Sequence, residues 1–328
     1  MDYDLVAIKT LERVSKKHYY IIRGKKIMRY TSFNDLIEKI KARPVVSRCA
    51  VVGADDEQTI DAVIRAKKDK IIEPILIGDI NAIAEILISK GENVEDYDLQ
   101  AQATPEDGAQ LAVDLVNAGK ADCIMKGLIE TGHLMHVIMK RENNMCTGQL
   151  VSAMSVMEAP FYHKLIFMSD AGICMYPTLE QKKGIIENSV AAMTKMGIDN
   201  PKVAVLCAIE YLNPKMPETV EASSLKEMNE KGEITDCIVE GPISYDVAMY
   251  KHAAEQKHFD SPVAGDPDLL IWPNITAGNI AAKVMDHSAG GKGGGLVVGT
   301  KVPIILTSRG DDAEGKYRCI ALGAAFNS

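Results

Sequence analysis

Near the end of the chain Thr307, Ser308, Arg309 and Gly310 set two hydroxyls, a guanidinium and a glycine in consecutive positions. Arg309 offers a planar donor fork matched to phosphate or carboxylate, Ser308 a hydroxyl beside it, and Gly310 a backbone that a ligand can approach closely. Such a set supports anion binding next to a polar group. A second set, Lys126, Gly127 and Thr131, could hold a phosphate in the same way. A third places Gly278 and Asn279 at an expected helix start, with backbone N–H groups open to an anion and Lys283 one turn further on. Each set has a plain structural alternative. Asp311 and Glu314 carry the spacing of a capping box, and Gly-Asn is an ordinary turn pair. His133 and His136, three apart, could share one helical face, but without a set of carboxylate or cysteine partners for a metal they read as surface or pocket lining.

These positions follow from the elements around them. Residues 302–306 form a short apolar run with a helical pattern after it, which puts Ser308 and Arg309 at a strand's carboxyl end, where α/β sheets expose working groups. Upstream, RCAVVG, PILIG and ADCIM read as strands. Helices alternate with them, the first capped by Ser32, the next by Asp55 or Asp56, and another starting at Pro105. After Gly148 the pattern restarts. LVSAMSVM, KLIFMSD, KVAVLCAIE, DCIVEGP and DLLIWP read as strands, with helices over 179–196, 217–231 and 247–256 and from about Ala277. Alternation with short connections predicts a parallel sheet covered on both faces. The run GGKGGG at 290–295 lacks the GxxxxGK[ST] spacing and reads as a flexible turn before a strand. The expected organisation is an N-terminal extension (1–31), one α/β domain built from 32–147 with 297–328, and a second from 148–296. The extension is basic and aromatic and reads as a packed appendage or subunit contact.

Composition narrows the function. The 328 residues leave room for two domains, and 47% hydrophobic with 25% charged residues is ordinary for a globular protein. A net charge of -8 argues against a broad nucleic-acid or anionic-membrane surface, so an anionic small molecule needs a local basic pocket. Seven scattered cysteines without CxxC or zinc spacing, and no signal-like or membrane-spanning apolar run, lead to the expectation of a cytoplasmic protein with no metal. There is no GxSxG, no HExxH and no GxGxxG after a strand.

Four segments, PKVAVLCAIEYLNPKMPETVEA, DCIVEGPISYDVA, SPVAGDPDLLIWPNITAGNIAAK and VPIILTSRG, occur in this order and closely resemble the phosphate acetyl/butyryl transferase family, with NPKMP and VPIILTSR nearer its butyryltransferase branch. The likeness extends more loosely over 32–328. It implies reversible acyl transfer, acyl-CoA plus phosphate giving acyl phosphate plus CoA, with coenzyme A a substrate and no cofactor permanently bound. It also implies two three-layer α/β domains flanking a cleft, isocitrate/isopropylmalate dehydrogenase-like, in a homodimer or higher oligomer. Carried over by motif, Arg309 would bind the phosphoryl group and Ser308, beside Thr307, would hydrogen-bond charge developing on the reacting carbonyl or thiolate. Gly278, Asn279 and Lys283 would share that cleft, and Lys126, Gly127 and Thr131 match the family's KGxxxT stretch. Three positions depart from the pattern. Gly315 stands where the acetyltransferases carry a catalytic Asp, leaving Asp311, Asp312 or Glu314 to deputise; His136 replaces an Arg, and Cys174 an Asn. Two other readings stay open: a non-catalytic protein binding CoA or acyl phosphate, and a metal- and NAD-dependent decarboxylating dehydrogenase on the same general fold.

Overall fold

The computed structural model describes residues 19–22, 25–308 and 310–327, with side chains from 29 onward. Most of the basic-aromatic N-terminal segment, and Arg309 itself, lie outside the described residues. β1 (Tyr19–Ile22) and β2 (Lys25–Met28) pair as an antiparallel hairpin separate from the main sheet. α1 (Phe33–Lys41) begins where the Ser32 side chain accepts from the Asp35 N–H, and it buries Phe33, Leu36, Ile37 and Ile40, the spacing of one helical face.

A first βα series follows: β3 (Ser47–Val52), α2 (Glu57–Lys68), β4 (Ile72–Gly78), α3 (Ile80–Ser89), β5 (Asp98–Ala101), α4 (Pro105–Asn117), β6 (Cys123–Lys126) and α5 (Thr131–Ile138). Asp56, rather than Asp55, caps α2, and Thr104 with Asp107 forms a capping box on α4. The second series comprises β7 (Ser152–Glu158), β8 (Ile166–Ser169), α6 (Leu179–Lys195), β9 (Lys202–Leu206), α7 (Pro217–Glu230), β10 (Ile238–Ile243), α8 (Tyr245–Met249), α9 (Lys251–Gln256), β11 (Leu269–Ile271), α10 (Ile275–Lys283) and β12 (Lys292–Val298). The chain then returns through β13 (Ile304–Leu306) to α11 (Ala313–Phe326). None of the described helices is long and apolar enough to cross a membrane.

The strands form one eleven-stranded sheet in the order β10-β9-β11-β8-β7-β12-β13-β6-β3-β4-β5. It is mixed rather than parallel throughout. β12 is antiparallel to both β7 and β13, and β7 is antiparallel to β8, so β8 through β12 run against the other six. The glycine-rich run is not a free turn either. Gly293, Gly294 and Gly295 lie inside β12, in the middle of the sheet. A Cβ on Gly294 would sit 2.7 Å from Leu322 Cδ1, so the glycines let α11 press close against this strand. The helix itself is lined with small residues for the same reason: Ala321, Gly323, Ala324 and Ala325 are all buried, and a Cβ on Gly323 would meet Ile305 Cδ1 at 2.4 Å. Two further differences are local. β5, a polar edge strand of sequence DLQA, has no apolar run to announce it, and the helix expected over 247–256 is two short helices.

Candidate active site

Thr307 and Ser308 continue directly from β13. The Thr307 hydroxyl donates to the Lys126 carbonyl at 2.6 Å, which clamps the end of β13 to the end of β6. Ser308 is exposed, its N–H donates to Asp311 Oδ2 at 2.6 Å, and its Oγ accepts from the Gly310 N–H at 3.4 Å. These hydrogen bonds tie Ser308 to Gly310 and Asp311 in a turn. The acids that follow do not form the expected capping box. Asp312 caps α11, accepting from the Gly315 N–H at 2.7 Å, while Asp311 is spent on the Ser308 turn. Glu314 reaches instead to Arg65 of α2, whose guanidinium lies 3.8 Å from the centre of the Tyr317 ring. Glu314 is therefore committed to the contact between α2 and α11.

β6 and β3 bring the next residues to the same edge. Lys126 is buried, with Nζ donating to the Gly127 carbonyl at 3.1 Å. Gly127 is glycine for a steric reason, since a Cβ there would lie 2.2 Å from the Gly53 carbonyl oxygen. That close approach permits two bonds between the strand ends, Gly127 N–H to Val52 O at 2.8 Å and Leu128 N–H to Gly53 O at 2.6 Å. Beyond β3 the chain passes to β4, and beyond β6 it leaves toward the other side of the sheet. Such a divergence of neighbouring strands opens a crevice at their carboxyl ends. Thr131 opens α5 and is exposed, as are His133 and His136. His133 does have a carboxylate neighbour, Glu106 of α4 at 3.4 Å, which chain distance had hidden.

Sequence reasoning passed over two groups at this edge. Asp55, just past β3, has a buried Oδ1 with no hydrogen-bond partner among the described residues. Lys316, buried in the first turn of α11, lies 3.3 Å from Asp56. Burial alone would raise the Asp56 carboxyl, but hydrogen bonds from Thr59 and the charge of Lys316 bring it below the usual value. The adjacent pair of acids after an apolar strand was the available signal, and it reads equally well as a helix cap.

The third predicted set sits differently from expectation. α10 begins at Ile275, with the Asn274 side chain accepting from the Ala277 N–H, so the Gly278 N–H is already bonded to the Asn274 carbonyl at 3.1 Å. The N–H of Gly278 is not open to an anion. Gly278 lacks a side chain because Trp272 Cδ1 and the Asp170 carbonyl would lie 2.7 and 3.0 Å from its Cβ. Asn279 donates to the Ala171 carbonyl at 3.2 Å. Asp170 is buried and accepts from the N–H groups of Ala153, Gly172 and Ile173 at 2.7, 2.7 and 2.8 Å, which fixes the turn after β8. Burial, with Asp170 nearby, pushes the Cys174 thiol up to about 12.

Because β8 through β12 run against the other strands, the candidate residues fall into two groups. Lys126, Gly127, Thr307, Ser308 and Asp311 gather where β6 and β13 end. Gly278 and Asn279 belong to the edge where β8 and β11 end, and exposed Lys283 lies at the far end of α10, which runs back toward the first edge.

The family described as phosphate acetyl/butaryl transferase matches residues 88–324. A phosphate butyryltransferase of Clostridium acetobutylicum is 39% identical over 293 residues, covering 89% of this chain and 97% of that protein. A phosphate acetyltransferase of Thermotoga maritima is 42% identical over 288 residues, covering 87% and 97%. Among solved structures, a branched-chain phosphotransacylase from Enterococcus faecalis V583 superposes with a TM-score of 0.77 at 28% identity, covering 86% of this chain and 99% of that one. A match across most of the sequence, shared by relatives of nearly the same length, means that the chain belongs to the phosphate acetyl/butaryl transferase family.

Proposed function

We propose that this protein is a phosphate acyltransferase, moving a short-chain acyl group between coenzyme A and inorganic phosphate. Family membership gives the reaction class, and the observation that carries the site is the Thr307 clamp, which holds the Ser308 turn against the end of β6 and its buried lysine. In the direction of acyl-CoA synthesis the CoA thiol loses its proton, the sulfur attacks the acyl carbonyl of acyl phosphate, and the bond from that carbon to the phosphate oxygen breaks. Phosphate departs with the electron pair. Both the thiolate and the phosphate are anionic, so an unassisted encounter brings like charges together. Fixed cations and donors offset that repulsion and align the reactants, an effect worth several kcal/mol.

In this reading Arg309 binds the phosphoryl group, Ser308 donates to the developing oxyanion, and Lys126 adds positive potential behind the turn. Asp311, already held against Ser308, is better placed for proton transfer than Glu314, which Arg65 engages. Thr131, His136 and Lys283 are exposed and available to CoA or phosphate. Coenzyme A acts as substrate and no resident cofactor is needed. The working unit is a homodimer or higher oligomer. Its two bodies are 32–147 with 297–328, and 148–296, in the manner of the isocitrate dehydrogenases; the return of the chain to β13, which pairs with β6 of the first series, supports that division.

Trapping acyl phosphate as the hydroxamate tests the proposal. Incubation with acetyl-, propionyl-, butyryl- or valeryl-CoA and phosphate should yield product, and Arg309→Ala should cost on the order of 10² or more in turnover. Product from none of the four would refute the function, and near-normal turnover of the variant would refute the role of Arg309. A CoA-binding protein without turnover is the second reading, favoured by Gly315 and by the engagement of Glu314 with Arg65.

A further inference from the structure

One glycine in the middle of the sheet, Gly295 of β12, is not required by the fold. Gly294 beside it is forced by Leu322 of α11, as Gly127 is by Gly53 and Gly278 by Trp272. Gly295 has no such neighbour. Its backbone lies outside the left-handed region, and a Cβ there would meet only the Leu306 and Met154 carbonyl oxygens, at 3.7 and 3.9 Å, which is ordinary contact. A glycine in a strand interior weakens the strand, and it marks a place where a ligand or another backbone approaches closely.

What faces Gly295 follows from the alternation of side chains along a strand. Leu296, Val298 and Ile305 point toward α11 and belong to one hydrophobic cluster that runs through both series. Gly295 points the other way, together with Val297. On that face the core is divided. Val297 and Ile304 pack with the first series, while Met157 and Met168 pack with the second. Between the two clusters lie Gly295 and its register partners, Ser155 of β7 and Leu306 of β13. All three are partly exposed, although they sit on central strands of the sheet. Ser155 is the one residue of 151–157 that is not buried, and its hydroxyl has no hydrogen-bond partner among the described residues.

The groove so formed is closed at one end and open at the other. Val297 lies opposite Ala153, and a Cβ on Gly172 would be 3.3 Å from the Ala153 Cβ, so the turn after β8 sits over the sheet at that point. In the other direction β13 runs on from Leu306 to Ser308, which places Gly295 on the order of 8 Å from the Ser308 backbone by strand rise and spacing. The groove thus leads inward from the Ser308 turn, with apolar Leu306 on one side and no charge on its floor.

The geometry points to Gly295 as the residue that admits the acyl chain: an acyl group whose carbonyl is held at Ser308 lays its tail over Gly295 toward Ser155, and the groove selects saturated chains of four or five carbons over acetyl. The inference rests on the acyltransferase reading of the Ser308 turn and names the substrate class for it. A two-carbon group is too short to reach Gly295, whereas one added methylene in an apolar pocket changes kcat/KM on the order of tenfold.

Release of CoA from acetyl-, propionyl-, butyryl- and valeryl-CoA with phosphate, followed with a thiol reagent, gives kcat/KM for each. The parent should favour butyryl- or valeryl-CoA over acetyl-CoA. In Gly295→Val the new side chain occupies the groove, and the butyryl-to-acetyl ratio of kcat/KM should fall at least about tenfold. Ser155→Leu, which enters the groove from the neighbouring strand, should lower the ratio as well, and Gly295→Ala should fall between Gly295→Val and the parent. Valine is a good strand former, so Gly295→Val should stay folded, and far-UV circular dichroism checks each variant. A lowered ratio in either folded variant, Gly295→Val or Ser155→Leu, supports the groove. A parent that favours acetyl-CoA, or a ratio unmoved in both variants while product still forms, overturns this inference alone. No product from any of the four acyl-CoAs refutes the acyltransferase function itself.

Discussion

Replacing Gly127 by alanine tests how the strand ends build the candidate site. The new Cβ would lie 2.2 Å from the Gly53 oxygen and 2.9 Å from both the Gly53 carbon and the Val52 oxygen. All three are backbone atoms at the end of β3, with no side-chain rotation to relieve the overlap. The strand ends must separate by about 1 Å to reach ordinary contact, which stretches the bonds Gly127 N–H to Val52 O and Leu128 N–H to Gly53 O. Overpacking of this kind costs about 1–3 kcal/mol. Two weakened backbone hydrogen bonds add roughly 1 kcal/mol each, for a loss of about 3–5 kcal/mol. The displacement also moves the Lys126 carbonyl that anchors Thr307, and a shift of about 1 Å near a reacting group can cost on the order of 10² in rate. Urea unfolding gives the stability, and the hydroxamate assay, run where the variant is fully folded, gives the turnover. Gly132→Ala is the internal control: nothing lies within 4 Å of its Cβ, and it sits in α5, so it should be neutral or stabilising by up to about 1 kcal/mol. If Gly127→Ala unfolds within about 0.5 kcal/mol of the parent and turns over normally, the close approach of β3 and β6 does not hold the site.

Two other outcomes follow from the distribution of charge and thiols. Burial would raise the Asp266 carboxyl, but Lys164 and Lys202 bring it down to about 2. A depressed folded value stabilises the protein above the ordinary carboxylate range, so this contribution should be lost as pH falls from about 4 toward 2; Asp266→Asn should flatten that part of the stability profile, and an unchanged profile would refute the assignment. Burial pushes the thiols of Cys174, Cys207 and Cys237 up to about 12, whereas Cys146 is exposed. Mass spectrometry after brief iodoacetamide treatment at mildly alkaline pH should find Cys146 modified first, and equal labelling of the four would contradict the structure.

The primary sequence was sufficient wherever the signal is local. Ser32 and Thr178 cap helices through bonds to residues three positions on, and the apolar strands SRCAVV and KVAVL declare themselves by β-branched content. The ordered motifs around Pro214, Gly241, Gly278 and Ser308 were enough to indicate the family, because each is a run of consecutive residues.

Tertiary structure decided whatever depends on a partner distant in the chain. Strand direction is one case: the glycine-rich first half of β12 reads as a turn, and only pairing with β7 and β13 makes it an antiparallel strand. The uses of the glycines are another: Gly294 answers to Leu322, Gly127 to Gly53, and Gly278 to Trp272, none of them a neighbour in sequence. Glu314 was legible as an acid near the turn, but its engagement with Arg65 depended on α2 and α11 packing together. The cleft beside the ends of β9 and β11 had no motif at all, because its walls come from segments after β8, β9, β10 and β11 that meet only when the sheet forms. Hydrogen bonds within one helical turn can be read from residue order, while steric and electrostatic neighbours across the sheet are set by which strands the chain brings side by side.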